Sequence, residues 1–191
     1  MSANLDVLKQ RWSPRAFAPR AVEDEKVHGL FEAARWAPSC YNDQPWTFLL
    51  TRRGQDLAHQ QLLACLMPAN QAWAATAPLL VLNTVRLNFL HNGKPNRWAF
   101  YDLGLAVGNL LSEATHLGLF VHQMAGFDAA LAHRRLGLPD SHEAVAVMAV
   151  GYLGEAASLP PGVEEKSPAQ RERKPHGDLL YTGHWQANLA N

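Results

Sequence analysis

Two groups of basic residues, one near each end of the chain, have the right side chains to bind an anion. The group near the N-terminus is Arg11, Ser13 and Arg15, and the group near the C-terminus is Arg171, Arg173 and Lys174. Arginine donates two parallel hydrogen bonds to phosphate oxygens, and a serine hydroxyl adds another donor. Each group alone is typical of a solvated charged surface. If folding brings the two together, a monophosphate is a natural ligand.

A polar segment between two prolines is the second candidate for chemistry. Residues 36–48 read WAPSCYNDQPWTF, so six residues separate Pro38 from Pro45 where an ordinary connection needs one or two turn residues. We expect this segment to hold a ligand. Cys40 within it follows the end of a predicted helix, and the negative end of a helix dipole disfavours a thiolate. Covalent catalysis by this cysteine is therefore not favoured.

Motifs for other cofactors and for metals are missing from the sequence. There is no GxGxxG after a strand and no GxxxxGK[ST], so neither a dinucleotide fold nor a P-loop is indicated. The nine histidines include no HExxH pair, and the two cysteines, Cys40 and Cys65, lack the spacing of a zinc site. A lone histidine such as His122 is expected to be a hydrogen-bonded core residue. We predict no metal.

The composition favours a single globular domain that acts on a small molecule. The chain has 191 residues, 48% of them hydrophobic, which is enough for one sizeable core. Lys+Arg and Asp+Glu are both 17, so no positive surplus favours nucleic acid or an anionic membrane. The opening MSANLDVLKQRW lacks the apolar core of a signal peptide, and no later run could span a bilayer. With two cysteines only, a reducing compartment fits, and we expect a cytoplasmic protein.

Helices and strands that would position these residues are predicted from the spacing of apolar side chains. The predicted strands are TFLLT (47–51), LLVLNTV (79–85), LFVHQM (119–124) and AVAVMAVGYL (144–153). The predicted helices cover 23–37, 56–67 and 96–117, and a short one begins at Asp128 and ends at Gly137. On the longest helix, Gly104 and Gly108 lie one turn apart, which predicts the close packing of two backbones.

The last part of the chain has a different composition. Residues 154–176 are rich in proline, glutamate and basic residues, whereas the following DLLYTGHW carries apolar side chains that are costly to leave in water. A tail of this kind usually packs on something, and a second copy of the chain is as good a candidate as its own domain. We therefore predict one domain over residues 1–191, in which residues 154–191 form a C-terminal extension that packs on a second copy of the chain.

Six segments resemble the FMN-dependent nitroreductase family and occur in the family's order. They are RWSPRAF (11–17), AARWAPSCYNDQPWTF (33–48), DLGLAVGNLLSEATHLGL (102–119), HQMAGFD (122–128), VGYLG (150–154) and RKP (173–175). The chain is most similar to the short bacterial nitroreductase-like oxidoreductases. The resemblance implies an α+β fold with a mixed β-sheet flanked by helices. It also implies an intertwined homodimer with two FMN molecules at its interface.

The resemblance further implies a two-step hydride transfer. NADH or NADPH reduces the flavin and leaves, and an electron-poor acceptor such as a nitroaromatic or a quinone is then reduced in the same cavity. FMN carries this chemistry, so no side chain is assigned a catalytic role. Positive charge at the flavin's polar edge, assigned to Arg15, would stabilise the reduced ring. The alternative is a flavin-binding carrier or redox sensor with little turnover.

The resemblance assigns the flavin-binding residues position by position. In the N-terminal group they are Arg11, Trp12, Ser13 and Arg15, and in the C-terminal group they are Arg171 and Arg173. In the polar segment they are Pro38, Ser39, Cys40 and Asn42, which would contact the FMN of the partner subunit. Beneath the flavin they are Gln123, Met124, Ala125 and Gly126, whose backbone N–H groups would face N5 and O4. Tyr41 and Tyr101 would line the substrate face.

Four positions depart from the family pattern. Cys40 replaces the second serine of the polar segment, Trp12 replaces a basic residue, and Ala125 stands where well-studied members have glutamate. A lysine that usually precedes the second strand has no equivalent in ANQAWAATAP (69–78). The missing lysine affects the contacts to the pyrimidine edge of the flavin.

Overall fold

The computed structural model of the protein describes residues 3–54, 57–166 and 168–185. The helices are α1 (Ala3–Gln10), α2 (Asp24–Arg35), α3 (Leu57–Leu63), α4 (Pro68–Ala74), α5 (Ala99–His116) and α6 (Ala129–Leu136). The strands are β1 (Trp46–Arg52), β2 (Leu79–Arg86), β3 (Phe120–Met124) and β4 (His142–Gly151). None of the helices within these ranges is long and apolar enough to cross a membrane.

The four strands form one sheet in the order β1-β2-β4-β3, so β1 and β3 are its two edges. All three strand pairs are antiparallel, and the register of the β2–β4 pair shifts between Asn83 and Thr84. The predicted α+β fold with a sheet flanked by helices is confirmed. The sheet was predicted to be mixed, with both parallel and antiparallel pairs. The pairs among these four strands are all antiparallel, so a parallel pair would need a further strand.

Each face of the sheet packs against its own set of helices. Residues Leu79, Val81 and Val85 of β2 lie in a core with α2 and α5, whereas Leu80 and Leu82 lie in a second core with α3, α4 and α6. Successive side chains of a strand point to opposite faces, so a strand between two helical layers is expected to be mostly apolar. The first four residues of β2, LLVL, fit this expectation, whereas Asn83 and Thr84 are buried polar residues on the same strand.

Most predicted elements are found close to their predicted positions. Asp128 accepts a hydrogen bond from the backbone N–H of Leu131 at 2.8 Å, and Gly137 ends α6 with φ 66°, as predicted from both residue types. The predicted helix 56–67 is found as α3, which is shorter and ends before Leu66 pairs with Phe127. Helix α4, which begins at Pro68, was not predicted. Helix α1 was not predicted.

The predicted close packing at Gly104 and Gly108 is not made within the described chain. A Cβ atom placed at either glycine would meet no heavy atom within 4 Å, and both residues are exposed. These glycines therefore leave a shallow, open stripe along α5.

The first part of the C-terminal extension lies along the N-terminal segment of its own chain. The N–H of Gly154 donates to the carbonyl of Ala16 at 2.9 Å, and the carboxylate of Glu165 accepts from the N–H groups of Arg15 and Ala16 at 2.9 and 2.7 Å. Further on, Leu179, Leu180 and Trp185 are exposed. Residues 186–191, which also belong to the predicted extension, lie outside the described residues.

Candidate functional site

The N-terminal basic group is positioned by its neighbours on β3. The ring of Trp12 meets Phe120 edge to face, with centroids 5.9 Å apart, and His122 donates from Nδ1 to the carbonyl of Pro14 at 2.9 Å. Pro14 and Ala16 are buried. Arg11, Ser13 and Arg15, in contrast, are half-buried. Arg11, Ser13 and Arg15 are thereby presented at the β3 edge of the sheet.

His122 shows the expected behaviour of a hydrogen-bonded histidine. Its ring packs 4.5 Å from that of Trp73, and burial lowers the pKa of the imidazole, with the positive charge of Arg15 adding to the effect. A neutral imidazole has one N–H, which the bond to Pro14 uses. His122 thus fixes the N-terminal segment to β3.

The two basic groups meet in space. The guanidinium of Arg171 donates to the carbonyl oxygens of Lys9, at 2.6 Å, and of Arg11. Burial lowers the pKa of Arg11, and the positive charges of Arg171 and Arg173 lower it further. Among the described residues, none of these three arginines forms an ion pair with a carboxylate. Clustered guanidinium groups that have no carboxylate between them suit a phosphate dianion.

A cavity adjoins this arginine cluster, which we define as Arg11, Arg171 and Arg173. Its volume is about 510 Å³. It lies between α1 and the C-terminal extension and is lined by Leu5, Leu8, Lys9, Pro168, Arg171, Arg173 and His176. The cluster therefore has open space beside it for a ligand.

The polar segment, residues 38–44, has an unusual backbone. Tyr41, Asn42 and Gln44 have φ values of 55°, 54° and 46°, in the left-handed region that residues with a side chain seldom adopt. Each such residue costs about 1–3 kcal/mol and persists only where its surroundings enforce it. Strain of this kind is concentrated at ligand sites and switches.

Two hydrogen bonds hold the first half of the polar segment. The Ser39 hydroxyl accepts from the N–H of Gln44 at 3.0 Å, and the Asp102 carboxylate accepts from the N–H of Cys40 at 3.1 Å. Asp102 lies on α5 and is 2% exposed, and burial raises the pKa of its carboxyl group. Sequence reasoning missed this anchor because Asp102 lies far from the segment in sequence.

Asp43 holds the second half of the polar segment. Its carboxylate forms an ion pair with Arg86 at 2.7 Å and accepts from the N–H of Leu90 at 2.9 Å. Its side chain is 2% exposed, so it is a structural anchor and is shielded from ligands. Leu90 belongs to the hairpin 87–95, in which Asn88 pairs with Pro95. Asp43 therefore joins the polar segment to this hairpin.

Residues 123–126 are the last two residues of β3 and the two that follow it, and the start of α4 holds them in place. The carbonyl of Gly126 accepts from the N–H of Met67 at 2.9 Å and from the side-chain amide of Asn70 at 3.0 Å. A Cβ at position 126 would lie 2.8 Å from that amide nitrogen, so a larger residue there would displace the Asn70 side chain. Met124 is buried in the core, which leaves only its backbone for a ligand. Gln123 and Ala125 are exposed.

Asn70 is a site residue that sequence reasoning missed. Its side chain lies directly against the 123–126 segment, in the stretch where the family lysine has no equivalent.

The predicted site residues form two separate groups in the described chain. The arginine cluster and residues 123–126 lie at the β3 edge, whereas the polar segment leads into β1, the opposite edge. Three strand spacings separate the two edges, roughly 14 Å. Within the described ranges, no hydrogen bond or ion pair joins the two groups. One copy of the chain does not bring all the predicted residues together.

The two predicted substrate-lining tyrosines also lie in different aromatic groups. Tyr41 contacts the rings of Phe89 and His91, with centroids 5.8 and 5.2 Å away. Tyr101 meets Trp98 edge to face at 6.4 Å. Tyr41 and Tyr101 are 80% and 65% exposed, so both are accessible to a small molecule.

The β3-edge group fits FMN by its chemistry. Three guanidinium groups and the Ser13 hydroxyl, which accepts from Arg11 at 3.2 Å, suit a terminal phosphate. The 123–126 backbone offers donors on a rigid strand end. The polar segment adds an amide and a hydroxyl only if it is brought to this edge from elsewhere.

The comparisons with known proteins agree with this geometry. A solved structure described as an oxidoreductase containing FMN is 31% identical, with a TM-score of 0.84, and the match covers 95% of this chain and 92% of that one. A structure in complex with FMN from Desulfovibrio desulfuricans is 26% identical, with a TM-score of 0.77 and coverage of 94% and 96%. A Streptomyces coelicolor relative named "Putative NADH dehydrogenase/NAD(P)H nitroreductase" is 27% identical over 156 residues, 72% of this chain and 76% of its own length.

The same relationship is found at the level of the family. The model of the Nitroreductase family matches residues 8–152, which include the N-terminal basic group, the polar segment and the 123–126 segment. The arginines of the C-terminal group lie beyond this match. Since the match spans most of the chain and the fold is that of the FMN-containing structures, this chain belongs to the nitroreductase family.

Proposed function

We propose that the protein is an FMN-dependent NAD(P)H oxidoreductase that reduces electron-poor acceptors such as nitroaromatics and quinones. The observation that carries this proposal is the arginine cluster, which gathers three positive charges at the N-terminal segment that His122 joins to β3. The FMN-containing structures with the same fold support the cofactor. The name of the Streptomyces coelicolor relative supports NADH or NADPH as the donor.

Each part of the site has a proposed role. Arg11, Arg171 and Arg173, with the Ser13 hydroxyl, bind the phosphate of FMN. The backbone N–H groups of residues 123–126 orient the ring. Arg15 places positive charge at the polar edge of the ring, although its guanidinium also donates to the carbonyl of Glu164 at 3.0 Å. Bound FMN supplies the redox chemistry, taking a hydride from NAD(P)H and passing it to the acceptor.

The proposed site is completed by a second copy of the chain. The polar segment is at the wrong edge of its own sheet, yet it is held rigidly with Ser39 half-buried and Asn42 exposed. In a homodimer, the segment of one copy reaches the β3 edge of the other. The open stripe at Gly104 and Gly108 and the exposed Leu179, Leu180 and Trp185 are surfaces that such a dimer would cover. We propose a homodimer of one-domain chains on this basis. The small number of cysteines supports a cytoplasmic location.

The test is the absorbance spectrum of the purified protein, recorded without oxygen before and after NADH or NADPH. We expect a bound oxidised flavin that is bleached within seconds and regains its colour when nitrobenzene or a quinone is added. A protein that binds no FMN would overturn the proposal. A bound flavin that bleaches only over many minutes would indicate the alternative, a flavin carrier or redox sensor.

A further inference from the structure

The side chain of Glu165 joins the C-terminal extension to the N-terminal basic group. Its two carboxylate oxygens accept from the N–H of Arg15, at 3.0 and 2.9 Å, and one of them also accepts from the N–H of Ala16 at 2.7 Å. The N–H of Lys166 donates to the other oxygen at 3.1 Å. Glu165 is half-buried, and within the ranges that the structure describes it forms no ion pair with a basic side chain. The carboxylate therefore binds main chain.

Other contacts hold the extension on both sides of Glu165 in sequence. Before it, Leu159 and Val163 pack against the second core. After it, the guanidinium of Arg171 donates to the carbonyl oxygens of Lys9 and Arg11. Glu165 thus lies between the part of the extension that packs on the core and the part that carries the arginines.

The hydrogen bonds of Glu165 exist only while the extension lies against the N-terminal segment. If the extension moved away, the N–H groups of Arg15 and Ala16 would lose their acceptor. Hydrogen bonds to a carboxylate are about twice as strong as those between neutral groups. The guanidinium of Arg15 also donates to the carbonyl of Glu164 at 3.0 Å, so each of the two segments donates or accepts through both side chain and main chain. These contacts favour the arrangement in which the two basic groups meet.

We propose that Glu165 is a positioning residue for the phosphate site. By binding the backbone of Arg15 and Ala16, it keeps the extension in place and with it Arg171 and Arg173, which the extension contributes to the arginine cluster. This inference rests on the proposed function, in which the cluster binds the phosphate of FMN. The apparent affinity for a ligand falls with the fraction of molecules in the competent arrangement, so holding the extension in advance strengthens binding. Glu165 acts through the arginines and does not itself contact the phosphate.

The test measures the binding of two flavins that differ only in the phosphate. The full-length protein is equilibrated with FMN or with riboflavin, and the free flavin is measured after ultrafiltration. Glu165→Ala should raise the Kd for FMN about tenfold, because hydrogen bonds to a charged group are lost. The Kd for riboflavin should change much less, since riboflavin has no phosphate to bind the cluster.

Glu164→Ala is the matched control. It removes the same charge at the neighbouring, exposed position and keeps the backbone carbonyl to which Arg15 donates. Both Kd values should stay at those of the parent. A protein with Arg171→Ala and Arg173→Ala tests the route of the effect. Adding Glu165→Ala to it should weaken FMN binding by less than about twofold, because the extension no longer carries those arginines.

Circular dichroism must first show that each variant is folded. If Glu165→Ala fails to fold, Glu165→Gln gives the same comparison of the two flavins. The glutamine keeps one acceptor oxygen and turns an amide group towards the remaining N–H groups, so the expected loss of FMN affinity is smaller, about threefold.

Four results would overturn the inference. They are an FMN affinity that is unchanged or tighter in Glu165→Ala, an equal loss for FMN and riboflavin, an equal loss in Glu164→Ala, and the full loss in the protein without the two arginines. If the parent binds neither flavin, the proposed function fails instead. Trypsin cleavage after Arg171 then tests the extension without a flavin. Cleavage should be faster in Glu165→Ala than in the parent, and equal rates would overturn the role of Glu165.

Discussion

At the scale of single residues, the arginine cluster holds positive charges close together, and no carboxylate among the described residues pairs with them. Burial and two neighbouring guanidinium groups lower the pKa of Arg11, so its charged form is less favourable than in water. A bound phosphate would reverse this effect by supplying negative charge at the same place. The cluster is thus organised for a ligand at some cost to the free protein.

Replacing Arg11 should weaken FMN binding. Loss of a hydrogen bond to a charged group costs about 1.5–3 kcal/mol, so Arg11→Ala should reduce FMN affinity about tenfold or more. Arg173→Ala should have a similar effect. The control is Arg20→Ala, which removes an exposed arginine paired with Glu23. Fluorescence titration of the flavin-free protein with FMN measures the affinities. Equal affinity in the parent and both cluster variants would place the phosphate elsewhere.

Ala125 should act through its backbone rather than its side chain. It is exposed just after β3, and in the proposed site its N–H faces N5 of the flavin. Ala125→Ser keeps this donor and should keep the rate of flavin reduction, whereas Ala125→Pro deletes it and should slow the reduction. Stopped-flow absorbance measures the rate, and circular dichroism must first show a normal fold. A correctly folded proline variant reduced as fast as the parent would refute this placement.

At the scale of elements, the polar segment is shaped by the structures around it. Asp102 on α5 and Arg86 at the end of β2 each reach one part of it. Without these anchors, three residues with positive φ would relax to ordinary conformations, because strain persists only when it is enforced. The segment is therefore a rigid part of the sheet edge.

Asp102 should support the polar segment as a hydrogen-bond acceptor, with its charge making no favourable contribution. Asp102→Ala leaves the N–H of Cys40 without its acceptor, and we expect the free energy of unfolding to fall by about 1–3 kcal/mol. Asp102→Asn keeps an oxygen at this position and should be much less harmful. Urea denaturation at pH 7 measures both. Equal losses in the two variants would contradict this role.

The difference in stability between the parent and Asp102→Asn should depend on pH, because burial raises the pKa of Asp102. The folded state favours the protonated carboxyl, so the parent loses stability as pH rises from about 3.9, the unfolded pKa, through the raised folded pKa. Asp102→Asn has no such group. The stability of the variant relative to the parent should therefore be greatest above the folded pKa and fall away below about pH 3.9. An opposite slope in denaturation across this range would show that the carboxylate is stabilised in the fold.

At the scale of the whole molecule, a substitution in the stripe at Gly104 and Gly108 should have different effects in a monomer and in a dimer. Nothing within the described chain approaches these glycines, so a larger side chain has space there in a single copy. In a monomer, Gly108→Leu should raise the free energy of unfolding by about 0.5–1 kcal/mol, because glycine is a poor helix former.

In the proposed homodimer, Gly108→Leu should instead disturb the contact between copies. We expect light scattering to show a shift from dimer towards monomer, together with loss of bound FMN. Gly29→Ala on α2 is the control, because its added Cβ would make only an ordinary contact at 3.5 Å, and it should leave the mass unchanged. A Gly108→Leu protein that stays dimeric with full FMN would show that the stripe lies outside the interface.

The sequence by itself determined the secondary structure and the family. Strand and helix patterns depend on the local alternation of apolar and polar residues, and a cap such as Asp128 acts on an N–H three residues away. These are short-range effects, so they could be found by inspection. The two missed elements, α1 and the separate α4, are short helices with few turns to give a periodic signal.

Only the tertiary structure decided which residues meet. The contact between Arg11 and Arg171, the anchoring of Cys40 by Asp102, and the bond from Asn70 to Gly126 each join residues that are distant in sequence. Such contacts depend on strand order and on how loops close around two cores, and the local pattern does not contain this information. For the same reason, the separation of the polar segment from the arginine cluster, at opposite edges of one sheet, became visible only in the fold.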